Sequence, residues 1–215
     1  ARHFELPDFK EGAILDGVAA AILTERGVDV GLDSVGEWAD NNIGVIFGND
    51  TGFGKTAMNA RVRRLCGNFK SNVRPVLSMN NSVDERTLAY RYENADGQRF
   101  LVFAFSADHL SSYPDFLRSY EVASALKSGI EWISGKQLPV SVKNAPELYI
   151  LCERGEDYIS VALLNCFLDC VLAPTVTLDR EYSKIEFSGA SGRIEGNKVI
   201  FDTDIPAFDF VVFKA

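Results

Sequence analysis

The chain has 215 residues, of which 47% are hydrophobic and 24% charged, and its formal net charge at pH 7 is −8. This composition is typical of a folded globular protein with one large or two small domains, and the acidic balance argues against a nucleic-acid partner, which needs a basic face. No apolar run approaches the ~20 residues that span a bilayer, so we expect no membrane partner either.

The residue types that bind metals are sparse. The four cysteines and two histidines lack the paired spacing that a zinc site requires, so we expect neither a metal nor a cofactor. The cysteines are interpreted as small buried thiols in a reducing compartment, which favours a cytoplasmic location. These residues are Cys66, Cys152, Cys166, Cys170, His3 and His109.

The chain begins with a predicted strand and helix. Residues 11–15 form a short apolar run, and Asp16 is a suitable N-cap for a helix over residues 17–26. Val18, Ala19, Ile22 and Leu23 lie on one face of that helix, and Gly27 can end it. Residues 28–32 then favour a short strand.

The next stretch is predicted to contain a polar loop, a strand and a basic helix. The loop covers residues 33–42, the strand residues 43–47, and the helix residues 55–66, ended by Gly67. Trp38 in the loop is either a ring that stacks on a sugar or, more commonly, a cover over apolar surface.

A glycine-rich segment, GNDTGFGKT at residues 48–56, joins that strand to that helix. The order of strand, glycine loop, Lys-Thr and helix is similar to that of a phosphate-binding loop. The candidate residues for binding an anion or another small ligand are therefore Gly52, Gly54, Lys55 and Thr56. A nucleotide-binding protein that uses this segment is one alternative function.

Two observations count against a nucleotide-binding domain. Five residues separate Gly48 from the Gly54-Lys55-Thr56 sequence, where the motif requires four. The strands that follow are also predicted to pair as a hairpin, whereas a nucleotide-binding domain of this class has repeated parallel units. The favoured interpretation is therefore a glycine loop that makes a tight turn beside a sheet.

The middle of the chain is predicted to form a hairpin followed by a long helix. After a possible strand at residues 75–79, residues 87–93 and 99–105 are two β-rich runs around an Asp-Gly turn, in which Gly97 can adopt positive φ. The helix begins near residues 114–115, has apolar side chains at three- and four-residue steps, and ends at Gly135.

The last third of the chain changes character. Residues 138–146 favour an extended connector because of their two prolines. Short β-rich runs then recur between turn residues, without helical periodicity, which is typical of an antiparallel β-sandwich of about seven strands. The runs cover residues 148–152, 158–164, 176–178, 184–187, 192–195, 198–201 and 208–213.

Several of these segments resemble the C-terminal regions of bacterial glycoside hydrolases related to the family 42 β-galactosidases. In those proteins a catalytic barrel precedes a class I glutamine-amidotransferase-like α/β domain and a small β-sandwich. The similar segments are residues 12–27, residues 97–105, residues 132–134 before Leu138-Pro139, residues 161–165 with Asp169, and residues 205–212.

The resemblance implies an α/β domain with a mixed, incomplete flavodoxin-like or amidotransferase-like sheet over residues 1–145, cut short at its start, and a β-sandwich over residues 146–215. It implies no catalytic residues in this chain. Cys66 lies in a predicted helix, not at the strand–helix elbow of an amidotransferase nucleophile, and His109 has no evident partner. A barrel of about 250 residues does not fit here either.

The function implied is therefore a non-catalytic accessory module of a glycoside hydrolase. Its partners would be the catalytic barrel of the same protein or further copies of the chain. The third function considered is a carbohydrate-binding module. Four aromatic side chains could stack on sugars, although each fits a core position better: Trp38, Tyr113, Phe116 and Trp132.

Overall fold

The fold comes from a computed structural model that describes residues 9–49, 54–80, 85–106, 119–142, 145 and 148–215. The chain divides into two compact units, Ala1–Lys136 and Gln137–Ala215, named the first and second unit below. In the described part of the chain, residues in strands far outnumber residues in helices, so the protein is predominantly β. The predicted boundary between residues 145 and 146 falls later in the chain than this division.

The first unit contains one six-stranded sheet with the order β1-β6-β5-β4-β2-β3. Among the described strands, β1 and β6 are parallel and the other neighbours are antiparallel. The sheet is therefore mixed, but it differs from the parallel sheet of a flavodoxin-like domain. The strands are β1 Gly12–Asp16, β2 Leu32–Gly48, β3 Gly54–Phe69, β4 Arg74–Asn80, β5 Glu85–Glu93 and β6 Arg99–Phe103.

Two helices, α1 Gly17–Glu25 and α2 Tyr120–Ser134, cover opposite faces of this sheet. Because successive side chains of a strand point to opposite faces, β6 contributes to two cores. Phe100 and Val102 belong to the core that includes Ala20 of α1. Leu101 belongs to the core that includes Val122 of α2. The first unit thus has three layers.

The predicted ends of α1 and the predicted C-terminal end of α2 are confirmed. Asp16 Oδ1 accepts a hydrogen bond of 2.8 Å from the Ala19 N–H and caps α1. Ser119 caps α2, and Gly135 ends it in the left-handed conformation with φ of 66°. Residues 114–115 lie outside the described residues, but the predicted start of the long helix there is wrong, because Ser119 is extended with ψ of 145° and α2 begins at Tyr120. No helix in the described part of the chain is long and apolar enough to cross a bilayer.

The predicted hairpin of β5 and β6 is also confirmed, with Gly97 at φ of 78°. The predicted helix over residues 55–66 and the predicted loop over residues 33–42 are wrong. Both stretches belong to the long antiparallel pair β2–β3. In β3, the buried Val62 and Leu65 face the cores while the arginines around them are mostly exposed, and pairing with β2 stabilises this extended arrangement.

The second unit is a sandwich of two four-stranded sheets with the orders β12-β13-β10-β7 and β11-β14-β9-β8, and every pair in them is antiparallel. The predicted antiparallel β-sandwich is confirmed, although part of the predicted connector forms β7. The strands are β7 Val140–Val142, β8 Leu148–Arg154, β9 Ile159–Asn165, β10 Thr175–Leu178, β11 Glu186–Ser188, β12 Gly192–Glu195, β13 Lys198–Phe201 and β14 Phe210–Lys214.

The core of the second unit is centred on three phenylalanine rings. Phe201 is 5.3 Å from Phe187 and 5.9 Å from Phe213, measured between ring centroids, and both pairs have an edge-to-face arrangement. Such pairs add about 0.5–1.5 kcal/mol to the free energy gained from burial. Strands from both sheets thus meet at one aromatic cluster.

Candidate functional site

The outer face of the β11-β14-β9-β8 sheet carries apolar side chains where a solvated sheet normally carries polar ones. The pairing register places Tyr149, Leu164 and Phe210 side by side across β8, β9 and β14. Leu151, Ala162 and Val212 form the next row in the same direction. These six residues are named the apolar face.

The apolar face is open to solvent and has a polar border. Tyr149, Leu151 and Phe210 are 60%, 61% and 60% exposed. The row beyond Leu151 is polar, with Glu153, Ser160, Lys214 and Glu186 across the four strands. An apolar centre with a polar edge is typical of a protein–protein interface.

Two loops at one end of this sheet extend the exposed apolar surface. They follow β9 and precede β14, and an isolated bridge between Val171 and Ile205 joins them. Leu168, Leu172 and Phe208 project from them and are 82%, 75% and 71% exposed. Phe208 has φ of 58°, a conformation that is uncommon for a bulky residue and is a candidate for functional strain.

A buried amide holds these two loops in place. The side-chain nitrogen of Asn165 donates to the carbonyl oxygens of Asp169, Ile205 and Pro206 at 2.8, 3.1 and 3.0 Å. Its side-chain oxygen accepts from the Phe167 N–H at 3.1 Å. Asn165 is only 1% exposed, so this amide fixes both loops from inside the sandwich.

The apolar surface is large for a single chain. Six large side chains on the face and its loops are each more than half exposed, and three of them are aromatic and three are leucines. An aromatic side chain offers roughly 150–250 Å² of area, so these six side chains together present several hundred Å². Patches above a few hundred Å² are unusual on monomers and mark interaction sites. A standard interface buries about 800 Å² on each partner. The apolar face and its loops therefore reach the scale of an interface.

The sequence contained a signal for this face. In a half-solvated antiparallel strand, apolar and polar residues alternate, but residues 148–152 are continuously apolar. The reason is that Leu148 and Ile150 face the sandwich core while Tyr149 and Leu151 face outward. A continuously apolar run in an antiparallel hairpin therefore predicts that other groups cover both faces of the strand.

The glycine-rich segment joins the two strands of the β2–β3 hairpin. Gly48 pairs with Gly54, Phe47 with Lys55, and Ile46 with Thr56. A strand follows the glycines, so the helix start that would have supplied anion-binding amides is replaced by an antiparallel ladder. Gly52 and the side chains of Lys55 and Thr56 lie outside the described residues, and ligand binding there stays a prediction.

The described aromatic candidates are covered by neighbours. Trp38 packs against the core beneath α1, and the Arg63 guanidinium carbon is 5.6 Å from its ring centre. The Trp132 ring has Arg91 and Arg99 at 5.7 and 5.5 Å. Both rings are half-buried, so they fit the covering interpretation better than a free sugar platform. The other two candidates, residues 113 and 116, lie outside the described residues.

The prediction of buried thiols is wrong for most of the cysteines. Cys152, Cys166 and Cys170 are exposed, and Cys66 is half-buried in β3. Cys152 lies in the edge strand β8, and Cys166 and Cys170 lie in the loop after β9. The sequence spacing alone did not reveal that these positions are exposed. Among the described residues, no group of three or more His, Cys, Asp or Glu side chains is arranged to hold a metal.

An electrostatic cluster in the first unit surrounds Asp29. Its Oδ2 accepts a hydrogen bond from the Tyr92 hydroxyl and pairs with Lys70 Nζ, both at 2.8 Å, and Gly31 N–H donates to Oδ1 at 3.3 Å. Partial burial raises the pKa of Asp29, but the hydrogen bonds from Lys70, Tyr92 and Gly31 outweigh it and lower the pKa below 3.8. The cluster links the segment after α1 to β5.

We expect Asp29→Asn to reduce stability at neutral pH but not in acid. Because the folded-state pKa of Asp29 is lowered, its contribution is present above the unfolded-state pKa and is lost as the pH falls through the folded-state pKa. The melting temperatures of the variant and the wild type should therefore differ at pH 7 and converge as the pH is lowered through the folded-state pKa. Asp40→Asn, which removes an exposed pair with Arg61, is the control and should show no such trend. A constant difference across this pH range would contradict the assignment.

Comparison with known proteins gives a likeness that supports a shared fold. No protein-family model matches the chain, and no curated protein sequence matches it. The solved structure of α-L-fucosidase isoenzyme 2 from Paenibacillus thiaminolyticus is similar with a TM-score of 0.57 and 10% identity. The similar region covers 94% of this chain and 36% of the fucosidase.

Two β-galactosidase structures show weaker likenesses. The enzyme from Rahnella sp. R3 has a TM-score of 0.43 at 10% identity, covering 94% of this chain and 31% of that chain. The enzyme from Bacillus circulans sp. alkalophilus has a TM-score of 0.39 at 11% identity, covering 85% and 24%. The chain thus shares its fold with a region that makes up 36% of the fucosidase, and it spans about a quarter to a third of the three chains compared.

Proposed function

We propose that this chain is a non-catalytic accessory module of a larger glycoside hydrolase, and that its apolar face packs against the catalytic domain of that protein. The observation that carries the proposal is the apolar face, whose exposed area and polar border fit a domain interface. The fold shared with about a third of a fucosidase supports the choice of parent enzyme.

The described residues of the first unit support a structural role rather than a catalytic one. We propose that this unit is a degenerate relative of the amidotransferase-like domain. At the described β1–α1 junction, where a strand–helix elbow would present a nucleophile, Asp16 caps the helix instead. Cys66 lies within β3 and contacts the Arg64 guanidinium at 3.2 Å, away from any such elbow.

Activity assays test the non-catalytic part of the proposal. The isolated chain, offered a panel of 4-nitrophenyl glycosides that includes fucosides and galactosides, should release nitrophenol no faster than buffer does. The protein translated from the natural reading frame around this chain should hydrolyse at least one member of the panel. Turnover by the isolated chain, or no turnover by the longer protein, would contradict the proposal.

Phe210→Lys tests the docking part of the proposal. Phe210 is 60% exposed and lies on the outer face of an inner strand, so a lysine there should leave the isolated chain folded. In the longer protein the lysine would bury a charge at the interface, and we expect the melting temperature of the catalytic domain to fall by several degrees. Lys198→Ala, at an exposed position on the other sheet, is the control. An unchanged melting temperature in the Phe210 variant would contradict the proposal that this face packs against the catalytic domain.

A further inference from the structure

β8 is an edge strand whose main chain is regular, long and open. It pairs with β9 over all seven of its residues without a bulge, and no described strand pairs with its other side. The other edge strands of the sandwich have three or four residues. Natural edge strands are usually protected by shortness, charge, proline or a bulge. Between Leu148 and Cys152, β8 has none of these protections.

The hydrogen bonds of β9 show which groups of β8 face the open side. Asn165 N–H donates to the carbonyl of Asp209, and Ile159 exchanges two hydrogen bonds with Ala215, so both residues direct their main chain toward β14. Their partners on β8 are Leu148 and Arg154, which therefore occupy pairs without mutual hydrogen bonds. By alternation, the N–H and C=O groups of Ile150 and Cys152 also point away from β9.

We propose that β8 pairs antiparallel with β8 of a second copy of this chain, around a two-fold axis at Leu151. Leu151 is the midpoint of Leu148–Arg154, so this register alone pairs all seven residues. It places Ile150 opposite Cys152 of the second copy, where the open donors and acceptors of both strands meet. Two-fold symmetry makes the same surface serve both copies.

The side chains fit this register. Leu151 lies opposite its own counterpart in a pair without mutual hydrogen bonds, where side chains are closest. Glu153 lies opposite Tyr149 of the second copy, so the carboxylates do not face each other. Arg154 is held by Asp179 of its own chain. A second copy is therefore a better occupant than a strand of arbitrary sequence. This assembly does not depend on the glycoside-hydrolase assignment.

Cysteine crosslinking tests the axis. In a chain with Cys152, Cys166 and Cys170 changed to serine, Leu151→Cys should give a disulfide-linked dimer when oxidised glutathione is supplied as the oxidant. Tyr149→Cys in the same chain is the matched control, since Tyr149 is 60% exposed, Leu151 is 61% exposed, and both lie on one face of one strand. The 149 thiols lie opposite Glu153 positions and should not crosslink. Equal crosslinking of both variants, or of neither, would overturn the register.

Sedimentation equilibrium tests the assembly itself. The wild-type chain should approach twice its 23.7 kDa mass at high concentration. Cys152→Pro removes an N–H that points to the open edge, which β8–β9 pairing does not use, and should remain folded and monomeric. Phe210→Lys should still dimerise. A monomeric wild type, or a dimer lost in Phe210→Lys but kept in Cys152→Pro, would overturn the proposal.

Discussion

Replacing Phe201 by alanine is expected to destabilise the second unit by about 3–5 kcal/mol. Phe201 is 2% exposed and contacts the rings of Phe187 and Phe213, so the change leaves a cavity in the aromatic cluster and removes two edge-to-face contacts. A domain of this size has roughly 4–12 kcal/mol of total stability. The substitution should therefore remove between about a quarter and all of the stability of the second unit.

Scanning calorimetry and urea titration followed by circular dichroism measure this effect. Because the chain divides into two compact units, the transition of the second unit should move while that of the first unit stays in place. Phe208→Ala is the control: Phe208 is 71% exposed and its truncation should change stability by less than about 1 kcal/mol. A loss below 1 kcal/mol for the Phe201 variant would show that the cluster does not hold the sandwich together.

Asn165→Asp should be nearly as damaging, although the two side chains have the same shape. The substitution replaces a donor that serves three carbonyl oxygens with a carboxylate oxygen that those carbonyls repel. The site is buried, so neither water nor a cation relieves the repulsion. We expect a cost of about 3–5 kcal/mol at pH 7. Burial should raise the pKa of the introduced acid, so the cost should shrink as the pH falls through that value.

The matched control is Asn68→Asp in the first unit. The side-chain nitrogen of Asn68 is exposed and donates to the Ser34 hydroxyl at 3.2 Å, and a hydroxyl can reverse its role and donate to a carboxylate. That variant should be near neutral in a urea titration. If Asn165→Asp proved equally neutral, the loops after β9 and before β14 would have to be held by something other than this amide.

Local signals predicted those elements whose pairing partners are near in sequence. The Asp-Gly turn set the β5–β6 hairpin, and Asp16, Gly27 and Gly135 marked the helix ends because caps act within one turn. The sandwich followed from short β-rich runs between turn residues. The β8–β9 hairpin closes with a hydrogen bond from the Gly155 N–H to the Tyr158 carbonyl, where the predicted runs 148–152 and 158–164 meet.

The β2–β3 pair could not be predicted in the same way. Its first half is rich in Asp, Asn, Ser and Gly, which have low strand propensity, and its second half contains good helix formers such as Met, Ala, Arg and Leu. Pairing between the two halves overrides these local preferences. Three register shifts in the pair, the first between Leu32 and Ser34, also blur the alternation that a strand would otherwise show.

The candidate site was predicted only in outline. The sequence suggested an interface and no catalytic constellation, but it did not locate the interface. Tyr149, Leu164 and Phe210 are distant along the chain and become neighbours only through the registers of two strand pairs. The positions of the exposed loop residues Leu168 and Phe208 likewise depend on Asn165. The three carbonyl oxygens that accept from its side chain lie in the loop after β9 and in the loop before β14.

The parallel pairing of β1 with β6 has a consequence for synthesis of the chain. Gly12 leaves the ribosome long before Arg99, its partner in the sheet, so β1 must wait while the four strands between them are made. During that interval α1 has no β6 surface to cover. Contacts between such distant segments form slowly. We therefore expect β1 and α1 to need chaperone protection while translation proceeds.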